Sequence, residues 1–518
     1  MSPNLRRVAL AGVGLAAAGG ALLLGPAPAM AHAIGQAFPL PVPLTLYLAG
    51  AGLAVAASFV VSVVVVRPAT TEPRYPTLSM ADGLARWTSV LLQVLGLVWW
   101  VGTIVAGYRA DPISPLPAIL FWIGIWVGLP IAAVVLGNPW PSLSPFRTIL
   151  GLLERAGRLL GLDRLDLGLA YPRRLGRWPA VAFLFAAVWS ELVLPGKEEP
   201  GTVANLLLGY TVVTLVGMLL FGRVAWLRNA ELFEVLLGWL GRIGPLGRRV
   251  VVSTACEGCT EECDPARCID CPECSTAAQP GERRVELRPW FVGLTEVRRT
   301  GWSDAAFIVL VLAGVTYDGL QQTAFWGGLM QPIFTAVWEV FGALNTVIII
   351  QTAGLVVVWL GFLLAFSVAA RLTRNLHDTT QRLRPAGEMA GAYASTLLPI
   401  AAGYLIAHYL TELIQGVVWI PTLLGNSLVT VAPSLDWIPI SAVWYLSVGA
   451  IVVGHIVAVV LAHRIALRDS PLRPVLAGLP LVVLMVGYTV LSLWIIAAPI
   501  TVEPGEAPAA LLAPAETR

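Results

Sequence analysis

Residues 44–66 read LTLYLAGAGLAVAASFVVSVVVV, twenty-three positions with no charged side chain. At about 1.5 Å of rise per residue, an apolar helix of about 20 residues crosses the roughly 30 Å hydrocarbon layer. Stretches of the same kind recur at 88–107, 117–137, 179–195, 202–221, 303–320, 345–370, 391–415, 440–463 and 474–498. The sequence therefore predicts an all-α, polytopic integral membrane protein of about ten transmembrane helices, five before and five after a cysteine-rich insertion. Composition agrees. The chain is 57% hydrophobic and 12% charged, with a mean hydropathy of +0.77, whereas soluble domains are about a quarter charged. The formal net charge of +2 gives no basis for binding nucleic acid. The lipid bilayer is the expected partner.

The first thirty-one residues carry Arg6 and Arg7, an apolar run through Leu24, and then APAMA before His32. This is the pattern of a secretory signal peptide cleaved after Ala31. Cleavage would leave His32 with a free α-amino group beside its imidazole, a pair that chelates Cu(II). With the mature N-terminus outside, alternation places the loops 67–87, 138–178, 222–302, 371–390 and 464–473 inside. Those loops hold twenty-eight of the thirty-three Lys and Arg residues, as positively charged cytoplasmic loops require. The expected plan is a signal peptide at 1–31, membrane halves at 32–221 and 303–500, a cytoplasmic loop at 222–302 and a disordered tail at 501–518. The protein is expected in the cell membrane. Segments 142–178 and 225–245 interleave Leu with Arg and predict amphipathic helices on the inner leaflet. The outer segments 321–344 and 416–438 are expected to cap the opposite face.

Every cysteine falls in CEGCTEECDPARCIDCPEC, residues 256–274. Two C-x-x-C pairs, Cys256/Cys259 and Cys271/Cys274, are the usual knuckles of a tetrahedral zinc site, with Cys263 and Cys268 as further ligands. An iron–sulfur cluster, a redox thiol set, and disulfides on the other side of the membrane remain alternatives.

Ionisable groups inside apolar spans are costly and mark function by default. His408 and Glu412 are four apart in PIAAGYLIAHYLTELIQG and share a helix face. Asp318 and Glu191 end two other spans, and His455 lies near the middle of the ninth. His408, Glu412, Asp318 and Glu191 predict one polar centre in the outer half of the membrane. It offers Cu, Zn or Fe a ligand set for hydrolysis, with Asp318 and Glu191 as the catalytic carboxylates. Alternatives are an ion or proton pathway in a transporter with an inverted five-helix repeat, and a haem held between His408 and His455. His377 reads as solvated and His463 as interfacial. Nucleotide-binding and serine-hydrolase motifs are absent.

Four stretches carry a resemblance: HAIGQAFPLPVPLTLYLAGAGLAVAASFVV (32–61), NPWPSLSPFRTI (138–149), TYDGLQQTAFW (316–326) and AHYLTELIQG (407–416). They resemble a family of polytopic bacterial membrane proteins named as the membrane subunit of fenitrothion hydrolase. The resemblance implies a multi-pass fold, a partner subunit and a link to organophosphate ester hydrolysis, and it assigns no catalytic residue.

Overall fold

The computed structural model describes residues 38–39, 44–66, 75–78, 82–162, 164–250, 254, 259, 268, 270–271, 274–275, 278–279, 282–295, 300–378, 385–498 and 501–502. The signal peptide, His32, Cys256, Cys263 and the tail beyond Val502 lie outside the described residues. In chain order the elements are β1 (Phe38–Pro39), α1 (Leu44–Val65), β2 (Thr77–Leu78), α2 (Asp82–Arg109), α3 (Leu116–Leu136), α4 (Pro145–Leu159), α5 (Trp178–Leu192), α6 (Pro200–Phe221), α7 (Arg223–Asn229), α8 (Leu232–Leu240), β3 (Leu246–Val250) and β4 (Arg283–Leu287). They continue with α9 (Trp302–Gln321), α10 (Ala324–Phe341), α11 (Ala343–Leu376), α12 (Ala386–Gly425), α13 (Ile440–Asp469), α14 (Pro474–Ala497) and β5 (Thr501–Val502).

Among the described residues, nine helices are long and apolar enough to cross a membrane: α1, α2, α3, α6, α9, α11, α12, α13 and α14. The tenth expected segment, α5, is an apolar helix of 15 residues. Its span of roughly 22 Å is shorter than the hydrocarbon layer. The chain then turns through 193–199, so the Glu191 end of α5 lies within the bundle.

Helix α3 departs from regular winding: Ile119–Gly128 is π-helical over 10 residues. Pro130 lacks the N–H that an α-ladder would return to the carbonyl of Trp126, and the wider π turn precedes it. The π segment packs on α12, where a Cβ at Gly416 would stand 2.5 Å from Ile123. Helix α9 is enclosed by α5, α11 and α12. The two membrane halves therefore interlock through α5 with α9 and through the π segment with α12.

Two loop expectations are overturned. Residues 225–245 do not form an amphipathic helix on the leaflet. Helix α8 is buried along its length, with Leu237 0% exposed and Phe233 2%, and it packs against α3 and α5. Its first turn is fixed by Glu231, whose carboxylate accepts from Phe233 N (3.0 Å) and Glu234 N (2.7 Å). Tyr210 Oη (2.6 Å) and Trp140 Nε1 (2.8 Å) donate to the same carboxylate. Four donors satisfy a buried anion that would otherwise be prohibitive. The expectation for 142–178 fits better. Helix α4 buries Phe146 and Leu150 and leaves Leu152 and Leu153 exposed. Helix α10 packs along α11 with only Trp326 buried, so 321–344 does not close over the bundle, while α12 continues through Pro421 to Gly425 instead of ending near residue 415.

The cysteine-bearing segment attaches to a three-stranded antiparallel sheet in the order β2–β4–β3, with Arg248 opposite Val285. β1 and β5 pair in parallel and bring the two ends of the membrane region together.

Candidate functional site

Three side chains predicted from sequence meet in one network, and a fourth stands beside it. Asp318 is carried by the last turn of α9, His408 by the middle of α12 and Glu191 by the end of α5. His408 Nε2 lies 2.9 Å from Asp318 Oδ2. Tyr409, the residue after His408, points its hydroxyl to Asp318 Oδ2 at 2.5 Å and to Glu191 Oε1 at 3.2 Å. The Trp126 side chain on the π segment lies beside Glu191. The Glu191 backbone carbonyl accepts from Lys197 Nζ at 2.5 Å, and Trp122 Nε1 donates to the Lys197 carbonyl at 3.0 Å. The π segment thus supports the network from one side. Glu412 faces the same region one turn beyond His408, and its hydrogen bond is to Thr411 Oγ1 (3.3 Å).

The side chains of His408 and Asp318 retain 11% and 17% exposure. Tyr317, beside Asp318, is fully buried and donates to Gln351 Oε1 at 2.6 Å, anchoring the end of α9 to α11.

His455 does not join this network. Helices α12 and α13 run antiparallel with Ser447 Oγ donating to the Ala407 carbonyl (3.0 Å), so His455 is displaced from His408 along the axis by about eight residues, roughly 12 Å. Its Nδ1 lies 2.8 Å from the Ile451 carbonyl, and the shared-haem geometry is not formed. His377, expected in solvent, is 1% exposed: Nδ1 meets the Thr373 carbonyl at 2.8 Å and Nε2 meets Tyr393 Oη at 3.2 Å. His463 is likewise buried, its ring 5.8 Å edge-on from Phe59.

The second cluster lies at the cysteine segment. The thiols of Cys259, Cys271 and Cys274 all lie within 4.8 Å of one another and can hold a metal ion. Cys259 Sγ and Cys271 Sγ are 3.8 Å apart. Cys268 is buried next to them but outside that trio. Between Cys268 and Cys271, Asp270 takes a left-handed backbone conformation (φ 52°). Its N donates to the Arg248 carbonyl at 2.7 Å, its Oδ1 accepts from Arg248 N at 2.8 Å, and its Oδ2 pairs with Arg288 Nη2 at 2.8 Å. Arg248 Nη2 reaches the Asn138 carbonyl (3.2 Å) and Ser142 Oγ (3.3 Å) at the end of α3. Asp270 thus ties the thiol cluster to the membrane bundle, beside the bond from Val250 N to the Cys268 carbonyl at 3.0 Å.

Sequence reasoning missed Tyr409, Trp126 and Lys197. Only the position of Tyr409 next to His408 signalled its role.

These features define an all-α polytopic membrane protein with a polar centre between its two halves and a thiol cluster at one end. No family model, no curated protein and no solved structure matches the chain.

Proposed function

We propose that the protein is a proton-coupled membrane carrier, a permease whose protonation centre is Asp318, His408, Tyr409 and Glu191. The observation that carries this reading is the Tyr409 hydroxyl placed between two carboxylates from different halves of the chain. A phenol has one hydrogen to donate. When it goes to Asp318, the contact with Glu191 is satisfied by a proton on Glu191. When the proton leaves, Tyr409 must choose between two anions, and one carboxylate is left without its bond. Proton loss therefore weakens the joint between α5 in the first half and α9 and α12 in the second. A carrier that alternates access around a central site needs that kind of coupling between protonation and the packing of its halves.

The test is proton movement in proteoliposomes with an entrapped pH dye and an imposed membrane potential, read beside infrared difference spectra of the carboxyl groups. Wild-type protein is expected to pass protons above the rate of protein-free vesicles, and Asp318→Asn and Glu191→Gln are expected to abolish both the flux and the carboxyl signal. Flux that is unchanged in both variants would sink the reading.

The other reading is a metal-dependent hydrolase, its reaction class implied by the resemblance and its metal placed by the residues themselves on His408, Glu412 and Asp318. Here His408 and Asp318 bond to each other, and among the described residues three ligand groups converge only at Cys259, Cys271 and Cys274. Metal in excess of that at the cysteines, lost in His408→Ala, would replace the carrier by the hydrolase.

For the thiol trio we infer a single zinc ion. Thiolates about 2.3 Å from a tetrahedral ion stand about 3.8 Å apart, the Cys259–Cys271 separation. The thiolates of a four-iron cluster bind separate irons and are spaced more widely.

A further inference from the structure

Between the polar centre and the cysteine-bearing end of the bundle, the buried side chains of Tyr404, His455 and His463 each present one polar atom with no hydrogen-bond partner: Tyr404 Oη, His455 Nε2 and His463 Nδ1. All three residues are enclosed, at 0%, 0% and 1% exposure. Buried polar atoms are almost always paired with protein or ordered water. Three unpaired atoms in succession on two touching helices are therefore a pattern to be explained.

The helix register gives their order. A Cβ at Gly403 would stand 2.4 Å from the Ala450 carbonyl, and one at Gly454 would stand 2.4 Å from that of Pro399. Tyr404 is thus level with Ala450. His455 follows roughly 8 Å further along α13 and His463 roughly 12 Å beyond it, at about 1.5 Å per residue. The direction is toward the cysteine-bearing end, where Arg468 Nη1 donates to the Thr295 carbonyl at 3.1 Å. At the other end of the series, the Tyr404 ring centroid is 5.9 Å from that of His408. Its hydroxyl lies 2.2 Å from where a Cβ on Gly319, the neighbour of Asp318, would be.

We propose that Tyr404, His455 and His463 are the leg by which protons pass between the Asp318–His408 centre and the cysteine-bearing face of the membrane. This rests on the carrier reading, and it assigns that site its route to one side. The chemistry balances without a redox partner. A proton leaves protonated His408 with cleavage of its Nε2–H bond, and Asp318 stays the anion that accepts from Tyr409. Tyr404 accepts the proton on oxygen and releases its own phenolic proton. Water carries that proton to His455 Nε2. A backbone carbonyl only accepts, so His455 Nδ1 keeps its hydrogen on the Ile451 carbonyl, and the imidazolium must discharge from the nitrogen that was loaded. Water then carries the proton to His463 Nδ1 and on to the surface. The net change is one proton moved.

The experiment compares wild type, His455→Phe, His455→Gln, His463→Phe and Asp318→Asn in the same proteoliposomes, with size-exclusion profile and Trp fluorescence as checks on folding. Each His455 variant is expected to lower proton flux at least tenfold while keeping the infrared carboxyl signal of the Asp318 centre. His463→Phe is expected to act in the same direction. If either folded His455 variant passes protons at the wild-type rate while Asp318→Asn does not, the leg is wrong and the carrier reading stands. If Asp318→Asn is silent while the His455 variants lose flux, the carrier centre is misplaced and the leg stands. Absence of flux in the wild type overturns both.

Discussion

At the scale of single residues, Tyr409 is the piece that joins three separate ionisable groups, Asp318, Glu191 and His408, into one device. The sequence makes His408, Glu412, Asp318 and Glu191 legible, because charge in an apolar span is costly wherever it falls. It does not make Tyr409 legible, since an aromatic ring in such a span is ordinarily packing. Nor does it show that Glu412 stands aside from the hydrogen-bonded chain, because i and i+4 on one face fixes direction but not the partner across the interface. Tyr409→Phe deletes one hydroxyl and leaves the ring. It is expected to separate the infrared responses of Asp318 and Glu191, which then titrate independently, and to reduce proton flux about a hundredfold or more, as loss of one positioned proton-transfer group does. Glu231 makes a different residue-scale prediction. Glu231→Ala strands the Trp140 indole N–H, the Tyr210 hydroxyl and two backbone N–H groups. A buried unsatisfied polar group costs about 1–3 kcal/mol, so a loss of at least about 3 kcal/mol is expected in detergent unfolding, with little effect of the variant on the carboxyl signal of the Asp318 centre.

At the scale of elements, what could be read from the sequence was length and polarity, and what could not was curvature and depth. The apolar spans follow from runs such as 44–66 because nothing but a membrane accommodates them. The π winding of 119–128 is invisible to periodicity, although Pro117 and Pro130 bracket it. The sequence misleads at helix α8 because Arg223, Arg228 and Arg242 flank an apolar run at helical spacing, a pattern shared by a helix lying on a leaflet and one inserted with its ends tethered. Glu231, bonded by Tyr210 from the middle of α6, decides for insertion. The cysteine segment offers the element-scale test. Because Asp270 joins the segment between Cys268 and Cys271 to Arg248 and Arg288, the thiol cluster and the sheet are one mechanical unit. Stripping metal with a chelator is expected to increase hydrogen exchange at β3 and β4 while leaving α9 and α12 protected. Asp270→Ala is expected to reproduce part of that loosening with the metal still bound. Exchange at the sheet that is indifferent to chelation would separate the thiol cluster from the fold of this region.

At the scale of the whole molecule, nine helices among the described residues are long and apolar enough to cross a bilayer, and the distribution of charge distinguishes one face from the other. The end that bears the cysteine segment also bears Arg248 and the pairs Arg147–Glu234, Arg177–Asp304, Arg288–Asp270 and Arg468–Asp469. The opposite end carries Arg109 and Lys197 as its only basic residues among those described. Pairing lowers the net field of the cysteine-bearing end but does not remove its excess of Arg, and it is the count of Lys and Arg in short loops, not net charge, that orients a membrane protein. That end is therefore expected in the cytoplasm, a reducing compartment in which thiolates persist as metal ligands. An impermeant maleimide applied to intact cells should leave the native cysteines unmodified, whereas the same reagent after permeabilisation and chelation should modify them; a single cysteine placed at Gly327 on α10 should show the reverse, reacting in intact cells. Modification of the native cysteines before permeabilisation would invert the molecule. The direction of the proton leg through His455 would invert with it, since that leg is defined only by the end it leads to.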